Sequence, residues 1–278
     1  MSTLFDLSGL SLELRTEIES SPRWTKFFSS KPKALLGVDS NAKTVKGQAM
    51  GFFTAILYLS PADISGVNLC PMAKLAGCEQ ACLASAGRGA FRSVFMARLR
   101  KTLFFLQYQS EFLALLRKEI AKLSAKYGSQ LLVRLNGTSD IPFENVIIET
   151  LGHNVFLEFP DVQFYDYTKH PSRNLEGKTA GNYDLTYSFS ALTPRVTSEK
   201  GLTNPWNKRT AVVFHRREDI PQSFRGWPVV DGDDTDVRHI EPERVVVALY
   251  AKGKAKHDTG PFVQRMGRDY PVIALHAA

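Results

Sequence analysis

All three cysteines of this chain, Cys70, Cys78 and Cys82, lie within thirteen residues, in a stretch that neither strand nor helix periodicity explains. Residues 60–89 also carry Pro61, Gly66, Pro71, Gly77, Gly87 and Gly89. A loop this long inside a compact domain is either functional or disordered, and its density of special residues favours function. An odd, tightly clustered set of thiols argues against structural disulfides and for metal ligation or reactive thiols. Three thiolates suit three irons of a [4Fe-4S] cluster and leave the fourth iron open to a small molecule. Zinc is the competing metal. It would need an imidazole from His153, His170, His215, His239, His257 or His276, none close enough in sequence to form a recognised finger. Cysteine is also a small hydrophobe, so three thiols without metal are the third reading.

The flanking patterns place the loop. Residues 52–59, FFTAILYL, read as a strand ended by Ser60 and Pro61. From 91 to 127 apolar residues recur at three and four, and Gly128 stops that helical pattern. Residues 131–135, LLVRL, form a second strand ended by Asn136 and Gly137, with a helix expected from Pro142 through Leu151. Further strands are expected at 155–159, 162–167, 185–190, 210–215, 227–230, 244–250 and 271–275. This order predicts an α/β fold with a largely parallel sheet, forming a partial or irregular (β/α) barrel over 49–278. Residues 1–48 read as a polar, partly helical N-terminal extension.

With 278 residues, 44% hydrophobic and 23% charged, the chain is excluded from disordered tails, fibrous repeats and disulfide-stapled miniproteins. It contains no run of ~18 apolar residues, and its start has an acidic residue where a signal peptide needs a basic region, so a cytoplasmic protein without a membrane partner is expected. The net charge of +7 is concentrated. Residues 86–127 hold nine basic side chains and two acidic ones, which accounts for the whole excess. Helices over 91–127 with such a face are candidates for nucleic-acid contact, the alternative being a solvated face. Arg117, Lys118, Lys122 and Lys126 form the distal group that can meet a partner, whereas Arg88 and Arg92 sit beside the cysteine loop.

The cysteine loop after the first strand resembles that of the radical S-adenosylmethionine (SAM) enzymes. That resemblance implies a radical-SAM-like fold, a cluster whose open iron chelates the methionine end of SAM, an electron donor, and reductive cleavage to a deoxyadenosyl radical. The stretch LLVRLNGTSDIPFE is similar to the glycine-rich segment that holds the methionine amine there. It implicates Asn136, Gly137, Thr138, Ser139 and Asp140, with Gly137 letting carbonyls approach the ligand and Asp140 accepting from the ammonium. Arg88 and Arg92 are placed to offset cluster charge or to grip the SAM carboxylate. The spacing departs from the family's usual three and two residues between cysteines, being seven and three, and Ala81 stands where an aromatic residue is usual. A plain turn with Asp140 capping the next helix is the other reading of NGTSD. A resemblance over more of the chain, carried by LYLSPADISGVNLCPMAKLAGCEQACLASAGRGAF, RLNGTSDIPFE and VVDGDDTDVRHIEPERVVVALYAKGKAK, is to the phage and prophage family called gene product eighty-eight. That family implies a phage-type protein in the host cytoplasm and carries no assigned activity.

Other motifs are weaker. Gly87-Arg88-Gly89 is neither a dinucleotide fingerprint nor a P-loop. A calcium loop at Asp231, Asp233, Asp234 and Asp236 fails, because its sixth position is Asp236 and its twelfth Pro242. Asp231, Asp233, His215, Arg216, Lys252, Tyr165, Asp166, Tyr167 and Lys169 lie at strand ends, where α/β folds place ligands. The alternatives to a radical SAM enzyme are a zinc- or iron-sulfur-stabilised nucleic-acid-binding or replication-associated protein, and a redox sensor.

Overall fold

The computed structural model describes residues 2–38, 42–193, 197–198, 201–202 and 208–265. Two short helices open the chain, α1 (Leu12–Ser20) and α2 (Pro22–Phe28), each capped by a serine hydroxyl that accepts from a backbone N–H of the first turn. Strand β1 (Leu36–Val38) and helix α3 (Ala42–Gln48) lead into β2 (Phe53–Leu57). The cysteine loop follows, then α4 (Arg92–Gln107) and α5 (Gln109–Tyr127), which return the chain to β3 (Leu131–Arg134). Gly128 ends α5 at φ 55°, as its place after the last periodic residue predicts. After a single helical turn α6 (Val155–Glu158) come β4 (Gln163–Thr168), β5 (Tyr183–Ser188), the hairpin β6 (Thr197–Ser198) and β7 (Gly201–Leu202), and β8 (Thr210–Phe214). The last strands are β9 (Ser223–Phe224), β10 (Trp227–Asp231), β11 (Val246–Tyr250) and β12 (Val263–Gln264).

One ten-stranded sheet runs in the order β1-β2-β3-β4-β5-β8-β11-β10-β9, with β12 pairing on β8. Every pairing from β2 to β10 is parallel, and the two outermost pairings are antiparallel. The α/β class and mostly parallel sheet expected from the sequence are present. The barrel is corrected: among the described residues the sheet stays open between β1 and β9. The first crossover, from β2 to β3, holds the whole cysteine loop and both long helices, whereas β4 to β5 crosses with no helix. Too few helices lie along the later strands to wrap the sheet into a closed ring.

Alternate residues of each strand enter different packing layers. Leu131 and Val133 join the large core built by α4, α5 and the N-terminal segment, while Leu132 faces Tyr165 and Val237 on the other side. Burial on both faces explains why these strands read as continuous apolar runs. Residues 1–48 contribute Phe5, Leu7, Leu10, Leu14, Ile18, Trp24, Phe28 and Leu35 to that large core, and β1 extends the sheet.

Two elements differ from their sequence reading. Residues 155–159, expected as a strand, form the single turn α6 and its C-cap Phe159, because Asn154 Oδ1 accepts from Phe156 N at 3.0 Å and Leu157 N at 3.2 Å and so nucleates a turn. The helix expected from Pro142 to Leu151 is only a 3-10 turn, Phe143–Asn145. Asn136 Oδ1 takes Ile141 N at 2.8 Å, and Arg173 pairs with Glu144, so tertiary bonds dictate this segment. The strand expected at 271–275 lies outside the described residues.

The cysteine loop is anchored to the N-terminal segment at Gly66, which has φ 82°, and a Cβ there would collide with the Gly9 carbonyl. Substituting Gly66→Ala therefore combines a left-handed backbone with a backbone clash. It should cost about 2–4 kcal/mol of stability, read as a lowered urea midpoint at unchanged m-value.

Candidate functional site

The parallel strands end on one side in a cavity of about 720 Å³. Cys70, Cys78 and Cys82 line it together with Arg88, Asn136, Gly137, Thr138, Ser139 and Asp140. Two segments read separately from the sequence therefore share one wall. They touch where the Cys70 thiol lies 3.9 Å from Thr138 O and where Asp140 N donates to Leu69 O at 2.9 Å. The hydroxyl of Thr138 also donates to Leu59 O, tying the turn to the end of β2.

The turn is built from the inside. Asp166, fully buried, accepts from Asn136 N at 3.0 Å and Leu135 N at 3.2 Å, and Tyr183 Oη donates to it at 3.2 Å. Asn136 in turn accepts from Ser139 Oγ at 2.9 Å and donates to Ile141 O at 2.9 Å. Burial pushes the Asp166 carboxyl up to about 6, and Arg134 with the two backbone N–H groups pulls the other way. Gly137 has a different reason from the one its motif implies. A Cβ on it would sit 2.6 Å from Ile56 Cγ2 and 2.8 Å from Leu57 O, so glycine is needed for close packing on β2. Asp140 lines the cavity and is held by Lys169 N at 2.9 Å and Arg173 at 3.4 Å. It does not cap a following helix.

The three cysteines are half-buried and unbridged. Cys78 Sγ lies 3.7 Å from Ala73 O, and Cys82 Sγ accepts from Ala84 N at 3.5 Å, which caps a short 3-10 turn. Burial pushes all three thiols up, Cys70 to about 12. Among the described residues no three His, Cys, Asp or Glu side chains converge tightly enough to hold a single metal ion.

Other strand-end candidates divide. Tyr167, Lys169, Asp233 and Lys252 line the cavity, and Lys252 pairs with Asp233 at 2.7 Å. Asp231 is engaged by Arg217 at 2.8 Å, and Arg216 by Asp219 at 2.9 Å, both away from the cavity lining. His215 makes its bonds to Lys256 O and Asp219. Tyr165 is core. The sequence reading did not single out Arg98 or Arg134 and set Asp236 aside with the calcium loop, yet all three line the cavity. Arg134 pairs with Asp236 at 2.7 Å and lies 3.7 Å from Asp166. Its signal was there to see, an arginine in the otherwise apolar LLVRL.

The basic helices are less available than their sequence implies. Arg92 pairs with Glu17 outside the cavity, Arg100 donates to Phe27 O, Lys101 to Leu35 O, and Arg117 pairs with Glu158. Lys126 lies over the Tyr127 ring at 4.7 Å. Among the described residues Lys118 and Lys122 are exposed and make no ion pair. No helix of the described residues is long and apolar enough to cross a membrane.

The thiol pKa shifts have a direct readout. A group neutral when protonated, with its folded value raised, stays protonated until the pH approaches that value. Cys70 in metal-free protein should therefore react with iodoacetamide at pH 8.5 roughly a hundredfold or more slowly than a free thiol, with the rate still climbing about tenfold per pH unit above pH 9, where a free thiol has begun to level off. Peptide mass spectrometry of the alkylated protein measures this.

No curated protein and no solved structure matches the chain. A family model described as Gene product 88 matches residues 33–265, a span that includes the cysteine loop, the turn after β3 and every cavity-lining strand, and the chain belongs to that family.

Proposed function

We propose that the cavity holds a [4Fe-4S] cluster on Cys70, Cys78 and Cys82, with SAM beside it, and that the protein is a divergent radical SAM enzyme of phage type acting in the host cytoplasm. The observation that carries this reading is the convergence of the cysteine loop and the Asn136–Asp140 turn on one wall, at the ends of parallel strands. The donor set fits the group. Three soft, unbridged thiols with only weak contacts surround a cavity large enough for a cofactor and substrate. A single zinc would have to draw its sulfurs to about 2.3 Å from one point. A cluster takes one thiolate per iron, so sulfurs that share a wall without converging suit it better.

When bound, the cluster and SAM supply one-electron reductive cleavage to a deoxyadenosyl radical, with an external electron donor. The chain's own residues bind and orient. Asp140 offers its carboxylate to the ammonium of the methionine end, while Arg173 holds that carboxylate in place. Arg88, exposed at the cavity, is positioned for the carboxylate. Ala211, Val213, Leu249 and Phe262 give the floor an apolar lining that limits water.

The alternative is a zinc-stabilised nucleic-acid-binding or replication-associated protein, and its basic surface narrows to Lys118 and Lys122 with their neighbours. One experiment separates the two. Anaerobic reconstitution with iron and sulfide should yield a brown protein with about four irons, and Cys70→Ala, Cys78→Ala and Cys82→Ala should each lose the chromophore. Zinc in place of iron after purification, or full iron in Cys78→Ala, would overturn the cluster. In the reconstituted protein Asp140→Asn should weaken SAM binding about tenfold, corresponding to roughly 1.4 kcal/mol, with iron content unchanged. Calorimetry reads this.

A further inference from the structure

Lys169 follows β4 and stands on the cavity wall, half-buried. Its ammonium donates to Ser188 Oγ at 2.9 Å, Ser188 O at 3.2 Å and Phe189 O at 3.4 Å, all neutral acceptors. It lies 4.1 Å from the centre of the Phe262 ring, and Phe262 belongs to the same apolar cluster as Ala81, against which Cys78 packs. Among the described residues no carboxylate forms an ion pair with it. Asp140, the acid nearest in effect, takes the Lys169 backbone N–H and pairs with Arg173. Cys70, Cys78 and Cys82 line the same cavity wall as this ammonium, so negative charge on the thiols would act on it, while burial pulls its own pKa down.

A cation partly withdrawn from water without a counter-charge is costly, and such groups persist where an anion is supplied. The three thiols are neutral when protonated and carry three negative charges when they ligate a metal group. We infer that Lys169 is the counter-charge of the cysteine site, a positioning residue whose fixed ammonium balances the thiolate-bound cluster and favours its reduced state. This rests on the cluster reading of Cys70, Cys78 and Cys82. The charge-offset role expected of Arg88 and Arg92 moves with it, since Arg92 is paired with Glu17 outside the cavity and Arg88 is exposed. Reduction adds one electron to the cluster and places one more negative charge beside Lys169, so the ammonium stabilises the product of that step more than its precursor.

The test is the midpoint potential of the reconstituted cluster, measured by dye-mediated titration with electron paramagnetic resonance. Lys169→Met should shift the reduction equilibrium at least tenfold toward the oxidised form, which is a drop of about 59 mV for one electron. Lys169→Arg, which keeps the charge, should stay near the wild-type value. If Lys169→Met fails to retain iron while Lys169→Arg retains it, the charge is again what matters, and the inference stands. Equal potentials in wild type and Lys169→Met, or the same shift in both variants, overturn the counter-charge while leaving the cluster reading intact. Wild-type protein that takes up no iron overturns both.

Discussion

The buried carboxylate of Asp166 is the group on which the cavity wall depends. It has no water to turn to, so its hydrogen-bonding capacity is met by Leu135 N, Asn136 N and Tyr183 Oη, with Arg134 nearby. Each bond fixes something else. The two backbone N–H groups set the exit of β3, Tyr183 draws in the start of β5, and Arg134 carries the charge across to Asp236. Removing one member of such a network leaves the others buried and unsatisfied, at a cost of several kcal/mol, so the wall holds as a unit.

The cysteine loop has little regular structure of its own and is shaped by what surrounds it. Gly66 meets Gly9 of the N-terminal segment, Gly77 sits where a Cβ would press on Pro261, and Ser190 Oγ donates to Ala76 O at 2.7 Å. The loop's partners thus come from before β1 and from the chain after β5 and β11. Burial by these partners is also why its thiols hold their protons so firmly. Desolvation disfavours the thiolate unless a cation pays that cost.

Charge is distributed by the same logic. The basic excess of residues 86–127 is not a uniform face. Arg100 and Lys101 are used to hold Phe27 O and Leu35 O, Arg98 donates to Ala84 O in the cysteine loop, and Arg92 and Arg117 are paired. Most of these cations fasten the N-terminal segment and the cysteine loop to the helices. A charge total in a sequence cannot distinguish that use from a surface waiting for a partner, because three of the five acceptors are backbone carbonyls that carry no sequence signature and the other two, Glu17 and Glu158, lie far off in sequence.

Periodicity and special residues were enough to read the α/β class, the strand at β2, the loop, the long helical region and its stop at Gly128, because those signals are local. The three thiols and the Asn136–Asp140 turn were also legible as separate candidates. Local composition misread residues 155–159, where one Asn154 cap outweighs the strand preference of Val155 and Phe156, and it could not see that Arg134 and Asp236 reach the cavity that Lys169, legible as a strand-end candidate, also lines. Gly137 was legible as a needed glycine but not for the right reason, since its constraint is the distance to β2. What the sequence alone determined is which segments prefer strand, helix or turn and where the reactive side chains lie along the chain. Only the tertiary structure decided that the sheet stays open and that residues 70–82 and 136–140 meet, because strand order and loop burial depend on contacts between segments far apart in sequence.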